Sequence, residues 1–246
     1  MRYFRIAFWG ILMCVTFIWQ YHPPEPSYMA VNGCIIEDFI PDIVEEAEVI
    51  EPEEEPVPEP EILEQYRELY ETNNDMIGFL YLTEEYQYPV LQRIEDQNYY
   101  AYRNFLGEED KEGCIFANRY TELGKSGVSL LYGHTLKSGR MFASLKKYQD
   151  ADYFEEHRII RLDTLYEEMQ YEVMAVVLTS LHEDFKYYEY VGNLTEDDFN
   201  EWKSGLAPYI VRGTVAGLEY GDVICEFSCC AYHKADGRLV VVLKAI

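Results

Sequence analysis

Asp222-Val-Ile-Cys-Glu-Phe-Ser-Cys-Cys230, a turn through Lys234-Ala-Asp-Gly237, and Arg238-Leu-Val-Val-Val-Leu-Lys244 decide the fold. Both flanks are rich in β-branched and aromatic residues and the link between them is built from turn formers, so the stretch reads as a β-hairpin. Side chains alternate across a strand. Cys225, Phe227 and Cys229 therefore share one face, which reads as core. Glu226, Ser228 and Cys230 share the other, which reads as polar. On this reading Cys229 is a buried thiol and Cys230 is the thiol able to meet a substrate. Closing the hairpin returns Arg238 to the end that carries Cys230.

Working outward, short apolar and aromatic runs recur at 77–82, 88–91, 113–117, 128–132, 159–162 and 170–178, most of them bounded by turn residues. Helical spacing of Ile62, Tyr66, Leu69 and Tyr70 predicts an N-terminal helix ending near Asn73-Asn74. A second helix is predicted over 141–148, continuing toward Phe154. A third starts at Thr195, where Thr-Glu-Asp-Asp198 resembles a capping box with Asp in the Glu slot. It carries Phe199 and Trp202 and stops near Gly205. Many strands with scattered helices predict a mainly β fold, a largely antiparallel barrel or sandwich with helical insertions.

The chain has 246 residues and a formal charge of −25, from 20 Lys+Arg against 45 Asp+Glu. That balance argues against a nucleic-acid partner, which needs a positive face. No Cys-x-x-Cys pair occurs among the six cysteines, and no spaced ligand set points to a metal or a cofactor. The charge is unevenly placed. Arg2 and Arg5 precede an apolar run of 14 residues, Ile6 to Trp19, which reads as an uncleaved signal anchor over 1–21 with the remainder exported. A cleaved signal peptide or a buried core helix is the alternative. Residues 20–60 hold twelve acidic residues, no Lys or Arg, and most of the chain's prolines. Proline denies backbone donors and like charges repel, so 22–60 reads as an extended, solvated stalk. The globular domain is assigned to 61–246.

A cysteine nucleophile needs an exposed thiol, an acid–base group within reach and a donor for the oxyanion. Cys230 and Arg238 offer the first and last. Of the five histidines, His22 lies in the stalk, His157 sits among charges, His182 reads as a loop residue and His233 lies at the hairpin turn. His134 differs: it follows the apolar strand Val128-Ser-Leu-Leu-Tyr132 and Gly133, a residue that permits close backbone approach.

These residues carry a resemblance. Tyr132-Gly-His134 followed by Met141-Phe-Ala-Ser-Leu-Lys-Lys-Tyr148 resembles the histidine segment of class B sortases. Glu226-Phe-Ser-Cys-Cys230 takes the place of that family's Thr-Leu-x-Thr-Cys strand, and Gly237-Arg238-Leu-Val-Val-Val242 that of its arginine strand. Asn73-Asn-Asp-Met-Ile-Gly78 and Gly113-Cys-Ile-Phe116 also match. Glu226, Phe227 and Cys229 depart from the pattern. Glu226 is expected to set a carboxylate on the site face, raising the thiol pKa.

The resemblance spans about 62–246 and implies a closed β-barrel of about eight strands in a membrane-anchored, extracellular cysteine transpeptidase of a Gram-positive-type cell. It implies that Cys230 attacks a sorting-motif carbonyl near the C-terminus of a surface protein. His134 would serve as acid and base, and Arg238 would hold the oxyanion. An amine of peptidoglycan or its lipid-linked precursor would accept the acyl group. Tyr132 and Ser228, flanking the pair, are assigned to substrate contact, with a core tyrosine and a strand-face serine as the plain alternatives. The 183–205 segment, with Tyr187, Tyr188, Tyr190 and Trp202, would lie where the family's substrate wall lies. A cell-wall cysteine hydrolase and a non-catalytic peptide-binding module remain the rival readings.

Overall fold

The computed structural model describes residues 60–246. The expected anchor and all but the last residue of the expected stalk lie outside the described residues. Among the described residues no helix is long and apolar enough to cross a membrane.

Nine strands carry the fold: β1 Met76–Tyr81, β2 Gln87–Leu91, β3 Ile115–Ala117, β4 Gly127–Tyr132, β5 Ile159–Thr164, β6 Gln170–Ser180, β7 Ile210–Gly213, β8 Val223–Cys230 and β9 Gly237–Ala245. Their order is β5-β1-β2-β3-β4-β8-β9-β6-β7, and β5 also pairs with β6. Eight strands therefore form a closed ring, with β7 attached outside it along β6. The ring is not wholly antiparallel: β2 pairs with β3 and β4 with β8 in parallel. Helix α1 is Glu64–Thr72, and α3 is Glu196–Leu206. The helix expected over 141–154 is two elements. A 3-10 helix spans Phe142–Gln149, and α2, Ala151–Glu156, restarts with Asp150 as its N-cap, accepting from the Tyr153 N–H. The N-cap half of the expected capping box on α3 forms: the Thr195 hydroxyl accepts from the Asp198 N–H at 3.1 Å, and donates to the Asp198 carboxylate at 2.7 Å. Strand β7 was not apparent in the sequence.

Strands β8, β9 and β6 are covered on both faces, which explains their near-continuous apolar runs. Inside the ring, Cys225, Phe227 and Cys229 pack with Phe142, Leu239 and Val241. Outside it, Ile224, Val240, Val242, Ala175 and Val177 lie beneath Phe199, Trp202 and Leu206 of α3. Each large apolar side chain sealed this way contributes about 1.5–3 kcal/mol.

The outer packing overturns one expectation. Glu226 is on the predicted face, but that face is covered, and Glu226 is 0% exposed. Its Oε1 accepts from Trp202 Nε1 at 3.0 Å and its Oε2 has no hydrogen-bond partner. The carboxyl therefore lies under α3 and not in the site. Burial pushes its pKa up to about 8 against the Trp202 hydrogen bond, which lowers it. An acid whose pKa is raised by folding binds its proton more tightly in the native state. Its contribution is present in full below the unfolded value and is lost as pH rises through about 8. Glu226→Gln keeps the acceptor for Trp202 and cannot ionise. We expect the wild-type melting temperature to fall between pH 5 and pH 9 by more than that of the variant. Parallel pH dependence of the two would contradict a buried neutral carboxyl.

Candidate active site

The β8–β9 register sets Cys230 directly opposite Arg238. Residues so paired have Cβ atoms about 4.5–5.5 Å apart, within reach of a long guanidinium side chain. Arg238 is half-buried, and its Nη1 donates to the carbonyls of Asp236 and Gly237, at 3.3 and 3.0 Å. On the other flank of β8 runs β4, in parallel, with Tyr132 opposite Ser228. The chain then passes through Gly133 to His134. Gly133 has no room for a side chain: a Cβ there would lie 2.6 Å from Ile115 and 2.7 Å from Phe142. The Gly133 N–H donates to the Ser228 carbonyl at 3.2 Å, which seats the histidine loop against the end of β8. Thr135 fastens it, its hydroxyl donating to the Cys230 carbonyl at 2.9 Å.

Cys230, His134 and Arg238 thus line one cavity of about 440 Å³, together with Tyr132, Ser228, Tyr187 and Tyr188. All five residues singled out from the sequence border it. Ser228 is buried, and its hydroxyl shares a 2.7 Å hydrogen bond with the Tyr187 phenol. Tyr132 is partly buried and accepts from Asn118 Nδ2 at 3.2 Å. Burial pushes both phenols, Tyr132 and Tyr187, upward, so both are neutral donors at neutral pH. Of the 183–205 aromatics, Tyr187 and Tyr188 face the cavity, Trp202 is core, and Tyr190 stacks on Phe185. Gln97, Asn98 and Ala101 also border the cavity, and no sequence signal marked them.

The cysteines separate clearly. All four in the described residues are free; Cys114, Cys225 and Cys229 are buried and only Cys230 is partly exposed. Cys229 is 5% exposed, and burial pushes its thiol up to about 11. Cys114 is likewise pushed up to about 11 by burial. The thiolate is the nucleophilic form, so these buried thiols are poorly placed for attack.

His134 is held by backbone. Its Nε2 lies 2.6 Å from the Ala101 carbonyl oxygen, and its ring packs on Tyr102 with centroids 5.4 Å apart. A carbonyl can only accept, so Nε2 carries the proton and Nδ1 keeps the lone pair. Ala101 belongs to a 3-10 turn, Tyr99–Tyr102, backed by Gly113. Gly113 has φ +61, and a Cβ on it would lie 2.5 Å from the same Ala101 oxygen. Gly113→Ala is therefore expected to cost about 1–3 kcal/mol in stability and to displace the carbonyl that holds the imidazole. The check is a melting curve with steady-state kinetics: kcat should fall while the variant stays folded. An unchanged kcat in a folded variant would remove Ala101 from the account.

No family model matches the chain. It is 30% identical over 190 residues to the sortase B of Listeria monocytogenes, covering 76% of both sequences. It is 27% identical over 186 residues to the sortase B of Staphylococcus aureus, covering 74% of this chain and 75% of that one. A solved Staphylococcus aureus sortase B–substrate complex superposes with a TM-score of 0.66 at 27% identity, over 75% of this chain and 86% of that one. A Bacillus anthracis structure described as similar to sortase B gives a TM-score of 0.66 at 30% identity, over 77% and 86%.

Proposed function

Because the chain belongs to the sortase B family of cysteine transpeptidases, we propose that Cys230 is its nucleophile, His134 its acid–base and Arg238 its oxyanion donor. One observation carries the assignment: the partly exposed thiol borders the same cavity as an imidazole and stands across the hairpin from a guanidinium. The Cys230 sulfur attacks the scissile carbonyl of a sorting-signal peptide, and the carbonyl oxygen becomes an oxyanion facing Arg238. His134, protonated, gives its Nδ1 proton to the leaving amine. The thioester that remains holds the acyl group until an amine arrives. Nδ1 then takes a proton from that amine as the new amide forms. Tyr132, Ser228, Tyr187 and Tyr188 wall the peptide.

The substrate is a C-terminal sorting signal of a secreted surface protein, and the acceptor is an amine of peptidoglycan or of its lipid-linked precursor. The family resemblance and the peptide-sized cavity support this reading. The arrangement of Arg2, Arg5 and the apolar run to Trp19 supports an anchor in the cell membrane with residues 61–246 outside the cell. The test is incubation of the protein with a panel of sorting peptides and a peptide amine. Amide product supports transfer; free acid alone, at every amine concentration, supports a hydrolase instead.

A further inference from the structure

The cavity described above is not the only one bordering Cys230. A second, of about 220 Å³, opens where β8 ends, and Cys229 and Cys230 are common to both. Its floor is apolar: Phe142 of the 3-10 helix, Leu178 of β6 and Leu239 of β9, all packed in or against the inner core. Its rim carries Lys146, Gln149 and His233. None of its lining residues is acidic, in a chain of formal charge −25. Lys146 is exposed and makes no ion pair among the described residues. Gln149 donates to the Lys146 carbonyl at 3.2 Å and so keeps that rim ordered.

A two-step acyl transfer needs a second substrate beside the same sulfur while the first is still attached. The first cavity is then filled by the acyl peptide. We propose that the second cavity seats the acceptor, as a short peptide amine that also bears a carboxylate. This deepens the transpeptidase reading and rests on it. The apolar floor takes the acceptor's carbon skeleton, and Lys146 faces its carboxylate. A nearby ammonium also disfavours a second cation, so the acceptor's amine is pushed toward the neutral, attacking form. Its nitrogen lone pair forms the C–N bond at the thioester carbonyl. The C–S bond breaks, its electron pair returning to sulfur, and the proton lost by the amine passes to His134.

The experiment uses the full chain, one sorting peptide, and two acceptors: triglycine with a free carboxylate and triglycine carboxamide. The ratio of amide to acid product reports acceptor capture from a common thioester. Cleavage measured without amine is the control that shows the thioester still forms. Lys146→Glu is compared with Lys125→Glu, an equal charge change on an exposed residue outside the cavity. Lys146→Glu is expected to lower the ratio about fivefold for triglycine, the scale of exchanging an exposed attraction for a repulsion. The carboxamide ratio should move far less, and Lys125→Glu should move neither. A ratio unchanged by Lys146→Glu, with thioester still formed, overturns the acceptor site alone. Equal losses for both acceptors overturn the carboxylate contact. Failure of the wild type to form any thioester overturns the underlying transpeptidase reading, and this inference with it.

Discussion

Cys230→Ala is expected to abolish consumption of a sorting peptide, with a loss of at least about 10⁴-fold, the scale of removing a covalent nucleophile. Cys229→Ala is expected to keep activity within a few-fold. The contrast follows from strand alternation and from what covers each face. Cys229 points into the ring, 3.7 Å from the Phe142 carbonyl oxygen, with its thiol pushed up by burial to about 11. Cys230 points to the cavity shared with His134. Truncating Cys229 leaves a small void and should cost about 1 kcal/mol of stability, visible as a modest fall in melting temperature. Progress curves with one peptide decide the matter. Comparable loss in both variants, with both folded, would mean that the face assignment fails.

The second large effect concerns Arg238. It stands opposite Cys230 and borders the same cavity, which sets its guanidinium where it can face the developing oxyanion. Donors aimed at such an oxygen contribute about 10²–10³ in kcat, so Arg238→Ala should lower kcat by that amount and change KM little. Arg238→Lys keeps the charge and loses the planar fork, and should recover only part of the rate. A fall in affinity with kcat intact would make Arg238 a peptide-binding residue and leave the oxyanion to backbone donors. The kcat and KM values of the three proteins separate the two.

The legible part of the site was the part governed by short-range rules. Period-two alternation placed Cys229 and Cys230 on opposite faces. A turn at Lys234–Gly237 fixed where Arg238 would return, and the observed pairing of 230 with 238 follows from it. Thr195 announced α3 because a cap is a local hydrogen bond. Glu226 shows where such rules stop. Its face is sealed by Trp202, a residue from another element, and nothing near 226 in the chain foretold that cover. The same holds for His134, whose partner is a backbone oxygen at Ala101, far from it in the chain. Strand β7 is four residues long with only partial burial, too short to stand out beside Pro208. The parallel pairings of β2 with β3 and β4 with β8 depend on how the ring closes, which no local pattern encodes. Of the aromatics that the resemblance sets at a substrate wall, Tyr187 and Tyr188 border the cavity, whereas Trp202 of α3 packs as core.

The most direct measurement is peptide mapping of the trapped acyl-enzyme. The protein is mixed with a sorting peptide, quenched in acid before an amine is added, digested and sequenced by tandem mass spectrometry. The account predicts an added acyl mass on Cys230, discharged as an amide when a peptide amine is supplied before the quench. An acyl mass on Cys229, or peptide bound with no covalent adduct on any cysteine, would contradict it.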